Sequence, residues 1–241
     1  MKPTENLKLK VCGLTQLTQI QELISLNTDF LGFIFYEKSP RFVLNHLSLE
    51  EISEINHQGK VGVFVNERIE KIVEISEKSN LNFIQLHGDE DEEFIKRLRQ
   101  MLNENTKIIK VIRIGDDKTN FENEIKKMSN LTRGEAELSE AKSQISNLLF
   151  DTDSKAFGGT GKTFDWQILN EIEIPIPYFL SGGISLENIK NLQNFVKVNM
   201  RENKTLTKLN TPFALDINSK FEIEPGIKDL EKIKTFKSLL K

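Results

Sequence analysis

Two side chains in this sequence are suited to proton transfer, a thiol and a carboxyl group. Cys12 is the one cysteine among 241 residues, so no internal disulfide can form, and the thiol is either buried filler or the reactive group of a site. Asp151 ends an apolar run, where it is either a hydrogen-bonding loop residue or an acid that keeps its proton in an apolar setting. Brought into one site, the two groups would make a base and an acid.

Arg41 and His87 are candidate binding groups. The Arg41 guanidinium can hold a carboxylate or a phosphate with two hydrogen bonds, although an arginine without context is usually a surface residue. His87 can be a ligand-binding or acid–base group, but a satisfied core histidine is the simpler interpretation. The only other histidines are His46 and His57, and no HExxH or CxxC pattern occurs, so we expect no metal site.

Two glycines allow backbone N–H groups to approach an anion closely. Gly182 and Gly183 have no side chains and precede a predicted helix near Ser185, an arrangement suited to phosphate. Asn218 and Ser219 can add hydrogen-bond donors. Ordinary turn glycines are the alternative. The favoured ligand is a phosphorylated small molecule.

The stretch Gly158–Thr163 invites a nucleotide-binding interpretation, which its spacing contradicts. Ala156 stands where a Walker A loop needs its first glycine. We predict instead a glycine-hinged flap, containing Gly159, that closes over the site and excludes water.

These groups need a scaffold, and the chain predicts one of the α/β class. Eight short apolar runs alternate with helical patterns, and most are continuous, as in a parallel sheet covered on both faces. Eight strands at this length predict a (β/α)₈ TIM barrel. A doubly wound open sheet is the alternative, and a glycine-rich nucleotide-binding turn after the first strand would favour it. Gly13 is a single glycine at that point, so we prefer the barrel. The predicted strands are Leu7–Val11, Phe30–Phe35, Val61–Val65, Phe83–Leu86, Ile108–Ile114, Leu148–Phe150, Tyr178–Leu180 and Phe213–Ile217.

Helical patterns fill the intervals, with a capping box expected from Ser48 to Glu51. Two polar stretches, 130–147 and 200–210, break the alternation before strands six and eight, and we interpret them as surface insertions on the face away from the chemistry. No linker divides the chain, so we expect one domain over 1–241. The predicted helices are Leu17–Leu26, Leu49–Ile55, Ile69–Ser76, Glu90–Leu102, Phe121–Met128, Trp166–Glu171, Leu186–Phe195 and Leu230–Leu240.

The barrel prediction places the candidate residues on one rim. Catalytic groups of this fold come from the carboxyl ends of the strands, and the loops after strands seven and eight commonly bind phosphate. Unusual residues of this chain follow those ends, which predicts one site built from Cys12, Arg41, Gln85, His87, Asp151, Gly159, Gly182, Gly183, Asp216, Asn218 and Ser219.

Composition limits the classes of partner and compartment. Basic and acidic residues number 33 and 36 and are interspersed, giving a net charge of −3, so no basic stripe indicates a nucleic-acid partner. The sequence has neither a signal-peptide pattern nor a long apolar run, so we expect no membrane partner. A cytoplasmic location is the default, and a single cysteine fits a reducing compartment.

Several motifs, in this order and spacing, together resemble the phosphoribosylanthranilate isomerase family of tryptophan biosynthesis. The resemblance runs from about Leu7 to the C-terminus, apart from the two insertions. The motifs are Lys-Val-Cys-Gly-Leu-Thr (10–15), Gly-Phe-Ile-Phe-Tyr-Glu-Lys-Ser-Pro-Arg-Phe-Val (32–43), Val-Gly-Val-Phe-Val-Asn (61–66), Gln-Leu-His-Gly-Asp-Glu (85–90), Phe-Asp-Thr-Asp (150–153), Gly-Gly-Thr-Gly-Lys-Thr-Phe-Asp-Trp (158–166) and Leu-Ser-Gly-Gly-Ile (180–184).

The resemblance implies an Amadori rearrangement without a cofactor, from N-(5-phosphoribosyl)anthranilate to 1-(o-carboxyphenylamino)-1-deoxyribulose 5-phosphate. It implies that Cys12 is the general base, that Asp151 is the general acid, and that Arg41 holds the anthranilate carboxylate. A thiol with an ordinary pKa of about 8.5 is a usable base if its surroundings lower that value. We expect a monomer or a homodimer.

The resemblance also implies a phosphate cradle in the loops after strands seven and eight. Where the family often has Asp-x-Ser-Ser-Gly, this chain has Asp216, Ile217, Asn218, Ser219 and Lys220, so the phosphate contacts there must differ.

Two alternatives to this function stay open at this point. Another phosphosugar barrel isomerase, such as the ProFAR isomerase of histidine synthesis, is expected to carry a carboxylate at position 12. A silent barrel that only binds phosphorylated metabolites is expected to lack Cys12 or Asp151, and both are present.

Overall fold

Eight parallel strands close into a barrel in the order of the chain, with β8 paired to β1. This confirms the predicted TIM barrel. The computed structural model describes residues 7–115, 118–132, 144–152, 164–202 and 211–240. The barrel strands are β1 (Lys8–Val11), β2 (Phe30–Ile34), β3 (Lys60–Phe64), β4 (Phe83–Leu86), β5 (Lys107–Ile114), β6 (Asn147–Thr152), β7 (Tyr178–Leu180) and β8 (Ala214–Ile217).

Helices cover the outside of the barrel, and each packs one apolar face against it. At the start of the second helix, Ser48 and Glu51 form the predicted capping box. None of the helices in the described ranges is long and apolar enough to cross a membrane. The helices are α1 (Leu17–Ser25), α2 (Leu49–Glu54), α3 (Ile69–Lys78), α4 (Glu92–Met101), α5 (Lys118–Thr132), α6 (Ile189–Glu202) and α7 (Leu230–Leu240).

Two predicted helices differ from the structure. Trp166–Glu171 was expected to be α-helical, but Trp166–Asn170 forms a 3₁₀ helix, a short element capped by the Asp165 carboxylate. The helix expected from Leu186 begins at Ile189, because the Asn188 side chain accepts the N–H of Ser185 at 2.9 Å and shapes a turn before it.

The two polar stretches are only partly insertions. Helix α5 continues to Thr132, inside the 130–147 stretch, and α6 continues to Glu202, inside the 200–210 stretch. Strand β6 already begins at Asn147. Residues 133–143 and 203–210 lie outside the described residues.

A small hairpin after β8 was not predicted. The 3₁₀ turn Ser219–Phe221 leads into β9 (Glu222–Glu224), which pairs antiparallel with β10 (Ile227–Lys228). Strands of two or three residues leave no periodicity that a sequence pattern can detect. The hairpin precedes α7 and brings two charged side chains to the barrel mouth.

Aromatic rings fill the barrel interior where the strands begin. The ring centroid of Phe30 lies 5.3 Å from that of Phe83, 5.1 Å from that of Phe179 and 6.0 Å from that of Phe213. The Lys8 ammonium lies 4.5 Å from the Phe213 centroid and covers the cluster from outside. This apolar plug closes the lower end of the barrel, so the polar interior is confined to the other end.

Truncating the central ring of this plug should be costly. We expect Phe30→Ala to lower the free energy of unfolding by about 3–5 kcal/mol, because the cavity would lie between three rigid neighbouring rings. Chemical denaturation measures the change. Phe94→Ala, at a half-buried site on α4, is the control, and a Phe30→Ala loss no larger than that of the control would contradict the packing described here.

Candidate active site

Cys12 lies at the barrel mouth, directly after β1, and is only 5% exposed. Its N–H donates to the carbonyl oxygen of Ile217 at 2.9 Å, which joins the end of β1 to the end of β8. Gly32 on β2 leaves the space that the cysteine occupies. A Cβ built at Gly32 would lie 2.9 Å from both the Cα and the Sγ of Cys12. The position of the thiol therefore depends on the absence of a side chain at Gly32.

A buried ion pair lies two residues before Cys12 on the same strand. The Lys10 Nζ donates to Asp216 Oδ1 at 2.9 Å, and the two residues are register partners on β1 and β8. Burial alone would lower the pKa of Lys10, but the Asp216 carboxylate and Cys12 raise it. The pKa of Asp216 is raised by its burial, which the Lys10 charge opposes.

The surroundings of Cys12 act on its thiol in both directions. Burial raises the pKa of Cys12, and the Asp216 carboxylate adds to that effect. The charges of Lys10 and Lys228, together with a hydrogen bond from Lys10, act in the opposite direction. The effect of burial prevails, and the pKa of the Cys12 thiol is raised. The free protein therefore does not meet the condition that the surroundings lower this pKa.

Asp151 faces His87 across the mouth. Its Oδ2 lies 3.4 Å from His87 Nε2 without hydrogen-bond geometry, and its Oδ1 accepts the N–H of Thr152 at 2.9 Å. Gln85 Nε2 lies 3.0 Å from His87 Nδ1. Gln85 Oε1 and His87 Nε2 are buried and have no hydrogen-bond partner among the described residues. Such atoms are normally satisfied, so they indicate where a polar ligand group could bind.

The loop that follows His87 is held by a second buried ion pair. Lys110 Nζ donates to Glu90 Oε2 at 2.8 Å and to the Gly88 carbonyl oxygen at 2.9 Å. Glu90 Oε1 accepts the N–H of Asn66 at 2.9 Å. These contacts join the segments that follow β3 and β4 to the middle of β5, which gives the acidic end of the 85–90 motif a structural role.

Arg41 is fixed by a partner that the sequence did not suggest. Its Nε lies 2.9 and 3.0 Å from the two carboxylate oxygens of Glu222, and its Nη2 lies 2.6 Å from Oε2. Lys228 Nζ donates to Glu222 Oε1 at 2.6 Å. Burial alone would raise the pKa of Glu222, but Arg41 and Lys228 hold it below its usual value.

Three of these polar side chains converge over Gly13, next to Cys12. A Cβ built at Gly13 would lie 2.7 Å from Arg41 Cδ, 2.8 Å from Asn218 Oδ1 and 3.4 Å from Lys228 Nζ. Lys228 Nζ also donates to Asn218 Oδ1 at 2.8 Å. The φ of +75° at Gly13 is a second reason why this position suits glycine.

The predicted phosphate side of the mouth consists of loops with unusual backbone conformation. Gly182 and Gly183 have φ values of +85° and +69°. A Cβ at Gly182 would clash with Thr152 Oγ1, so this loop packs against the end of β6, next to Asp151. Ser219 is half-buried and begins the 3₁₀ turn after Asn218.

The structure thus brings most of the predicted site residues to one rim, in two neighbouring groups. Cys12, Arg41, Asp216, Asn218 and Ser219 cluster where β1 meets β8, although Asp216 is paired with a lysine below the thiol. Gln85, His87, Asp151, Gly182 and Gly183 follow from β4 to β7. Gly159 lies outside the described residues, among which no three His, Cys, Asp or Glu side chains form a group suited to holding a metal.

Four residues that shape the site were missed. Lys10 could have been found, because side chains two apart on a strand share a face and position 10 precedes Cys12 by two. Gly32, Glu222 and Lys228 gave no local signal, since each acts on a residue far away in the sequence.

A family model supplies the decisive comparison, because it covers nearly the whole chain. The model described as N-(5'phosphoribosyl)anthranilate (PRA) isomerase matches residues 9–238. The chain belongs to the PRA isomerase family. It is therefore an isomerase of tryptophan biosynthesis, as the motifs implied.

Individual PRA isomerases agree with the family model. The chain is 37% identical to the N-(5'-phosphoribosyl)anthranilate isomerase of Trichodesmium erythraeum over 97% of each chain. A structure of monomers generated from the dimeric Thermotoga maritima enzyme shares 27% identity, with a TM-score of 0.68, over 97% of this chain and 98% of that chain. A PRA isomerase in complex with reduced 1-(o-carboxyphenylamino)-1-deoxyribulose 5-phosphate has 27% identity and a TM-score of 0.66, over 95% of this chain and 96% of that chain.

The dependence of this PRA isomerase on an empty position 32 can be tested. Gly32→Ala should lower kcat at least tenfold, because the new methyl group would meet both the backbone and the sulfur of Cys12. Steady-state kinetics and thermal unfolding measure activity and stability separately.

Gly62→Ala is the matched control, since Gly62 lies on the adjacent strand β3 and its Cβ would meet the side chains of Leu81 and Phe64. We expect this control to lower stability and to leave kcat within a few-fold of wild type. Equal kcat losses in the two variants would contradict a specific role for the space at Gly32.

Proposed function

We propose that this chain rearranges N-(5'-phosphoribosyl)anthranilate to 1-(o-carboxyphenylamino)-1-deoxyribulose 5-phosphate, with Cys12 as general base and Asp151 as general acid. Family membership supports the reaction, as does the related structure solved with the reduced product. The observation that carries the residue assignment is that the one thiol of the chain and the Asp151 carboxyl group open onto the same rim.

The first step opens the ribose ring. Asp151 donates its proton to the furanose ring oxygen while the bond between that oxygen and C1′ breaks. The nitrogen lone pair forms the C1′=N bond, which gives a protonated Schiff base. Asp151 is left as a carboxylate, and the Thr152 N–H, 2.9 Å from Oδ1, stabilises that form.

The second step transfers a proton from carbon. The Cys12 thiolate takes the C2′ proton, and the C2′–H electron pair forms a C1′=C2′ bond as the Schiff-base nitrogen becomes neutral. The resulting enol-amine tautomerises to the ketone when its C2′ hydroxyl loses a proton and C1′ gains one. Every atom of the substrate is retained, so the step needs neither an oxidant nor a cofactor.

Charge explains how a thiol with a raised pKa can serve as the base. The free protein favours the protonated sulfur because it is buried. The protonated Schiff base is a cation next to that sulfur, and it favours the thiolate in the same way as Lys10 and Lys228 do. In that complex the thiol releases its proton to solvent, and the thiolate then accepts the C2′ proton.

We assign the substrate's two anionic groups to different side chains and loops of the mouth. Arg41 takes the anthranilate carboxylate. The loops that contain Gly182, Gly183, Asn218 and Ser219 take the phosphate, and Gly159 is a further proposed substrate-binding residue. Gln85 and His87 contribute the unpartnered polar atoms Oε1 and Nε2. Asp216 acts through Lys10 rather than by touching the substrate, because its carboxylate is already paired.

We further propose one domain that works as a monomer or a homodimer in the cytoplasm. The Thermotoga maritima relative is a dimeric enzyme from which monomers have been generated. The two alternative functions lose support, because a thiol stands where a ProFAR isomerase should have a carboxylate and both residues that a silent barrel should lack are present.

The purified protein should convert phosphoribosylanthranilate with no added metal or nucleotide. Cys12→Ala and Asp151→Asn should each lower kcat by about 10²–10⁴-fold, the usual contribution of a placed base or acid. Loss of anthranilate fluorescence follows the reaction.

Asp89→Asn is the control for Asp151→Asn. Asp89 is an exposed carboxylate on the same rim, paired with Arg113 at 2.9 Å, and we expect its kcat to stay within about threefold of wild type. No turnover by the wild type would refute the reaction, and near-normal kcat in Cys12→Ala or Asp151→Asn would refute the assigned roles.

A further inference from the structure

The hairpin β9–β10 carries two buried charged side chains that neither donate nor accept a proton in the proposed reaction. The side chain of Glu222 is 4% exposed and that of Lys228 is 0% exposed. Burying an ion pair is costly, and a well-packed apolar pair often gives equal or greater stability. The position of these charges at the mouth therefore calls for a functional explanation.

The hairpin is firmly anchored next to the thiol. Gln19 Nε2 donates to the Lys228 carbonyl oxygen at 2.8 Å, and the Lys228 N–H donates to Gln19 Oε1 at 2.9 Å. Thr15 Oγ1 donates to the Gly226 carbonyl oxygen at 2.8 Å. Both anchoring residues belong to the segment that follows Cys12, so Glu222 has a fixed position relative to the thiol.

Glu222 occupies one of the two edges with which a guanidinium can grip a carboxylate. It takes the side edge of Arg41, through Nε and Nη2. Arg41 Nη1 has no partner among the described residues, so the end edge formed by Nη1 and Nη2 is left for a second carboxylate.

Lys228 supplies a second positive charge next to the ion pair of Arg41 and Glu222. Burial lowers the pKa of Lys228, and the Glu222 carboxylate opposes that shift. With Lys228 protonated, two cations face the single Glu222 carboxylate, so the group retains one positive charge. Without Lys228, the Glu222 charge would offset that of Arg41 and weaken the attraction for an anionic ligand.

We propose that Glu222 is a positioning residue which aims the end edge of Arg41 at the aromatic carboxylate of the substrate, with Lys228 as its counter-ion. The proposal rests on the function proposed above and deepens it. Recognition of that carboxylate then depends on the β9–β10 hairpin. Its Glu222 contacts Arg41, although the two residues are 181 positions apart in the sequence.

Competitive inhibition with two probes tests this role. One probe is reduced 1-(o-carboxyphenylamino)-1-deoxyribulose 5-phosphate, and the other is the same compound without the carboxyl group. Glu222→Gln should raise the inhibition constant of the first probe at least tenfold and that of the second less than twofold. It should raise KM for phosphoribosylanthranilate while kcat changes only a few-fold.

A double-mutant cycle shows whether Glu222 acts through Arg41. Arg41→Ala should produce the same selective loss, and adding Glu222→Gln to it should cause no further selective loss. Glu222→Asp, which keeps the charge on a shorter side chain, should recover part of the selectivity. If Glu222→Gln does not fold, Glu222→Asp must itself show the selective loss.

Failure of the proposed reaction and failure of the Glu222 role give different results. A wild-type protein without turnover would refute the proposed function. An active wild type whose Glu222 variant loses affinity equally for both probes, or for neither, would overturn the positioning role alone. Additive losses in the cycle would overturn it as well.

Discussion

The ion pair between Lys10 and Asp216 is the interaction on which the site depends. It joins the first and last strands at register partners and lies beneath Cys12 with almost no exposure. Apolar residues would often close the barrel at no loss of stability. What the pair adds is a fixed cation beside a buried thiol, together with a carboxylate that limits its effect. Barrel closure and the electrostatic environment of the thiol therefore depend on the same two side chains.

A second group of buried charges lies nearer the barrel mouth. Arg41 and Lys228 lie over Gly13, and both pair with the Glu222 carboxylate. There a carboxylate orients one cation and a second cation restores the charge. The proposed reaction, which moves protons between substrate, thiol and carboxyl group, benefits from such fixed charges, because mobile ones would reorganise at each step. The apolar plug around Phe30 supports both layers by closing the other end of the barrel.

Much of this could be predicted from the sequence, and the failures have physical causes. Eight apolar runs were enough for the barrel, because parallel strands covered on both faces leave a clear pattern. The positions of Cys12 and Asp151 followed from strand ends. The partner of Arg41 could not be predicted, since a contact over 181 residues leaves no local signal. Trp166–Asn170 was mistaken for an α-helix because a short apolar stretch fits both helix types.

Lys10 and Asp216 act on the charge state of Cys12 in opposite directions. Because the chain has one cysteine, the pH dependence of its alkylation by iodoacetamide, followed by mass, reports that thiol alone. The wild-type midpoint should lie above about 8.5, the ordinary thiol pKa. Lys10→Met should move the midpoint upward and Asp216→Asn should move it downward, since the lysine lowers and the aspartate raises the thiol pKa. Midpoints that stay unchanged, or that move in the same direction, would contradict opposite effects of Lys10 and Asp216 on the Cys12 thiol.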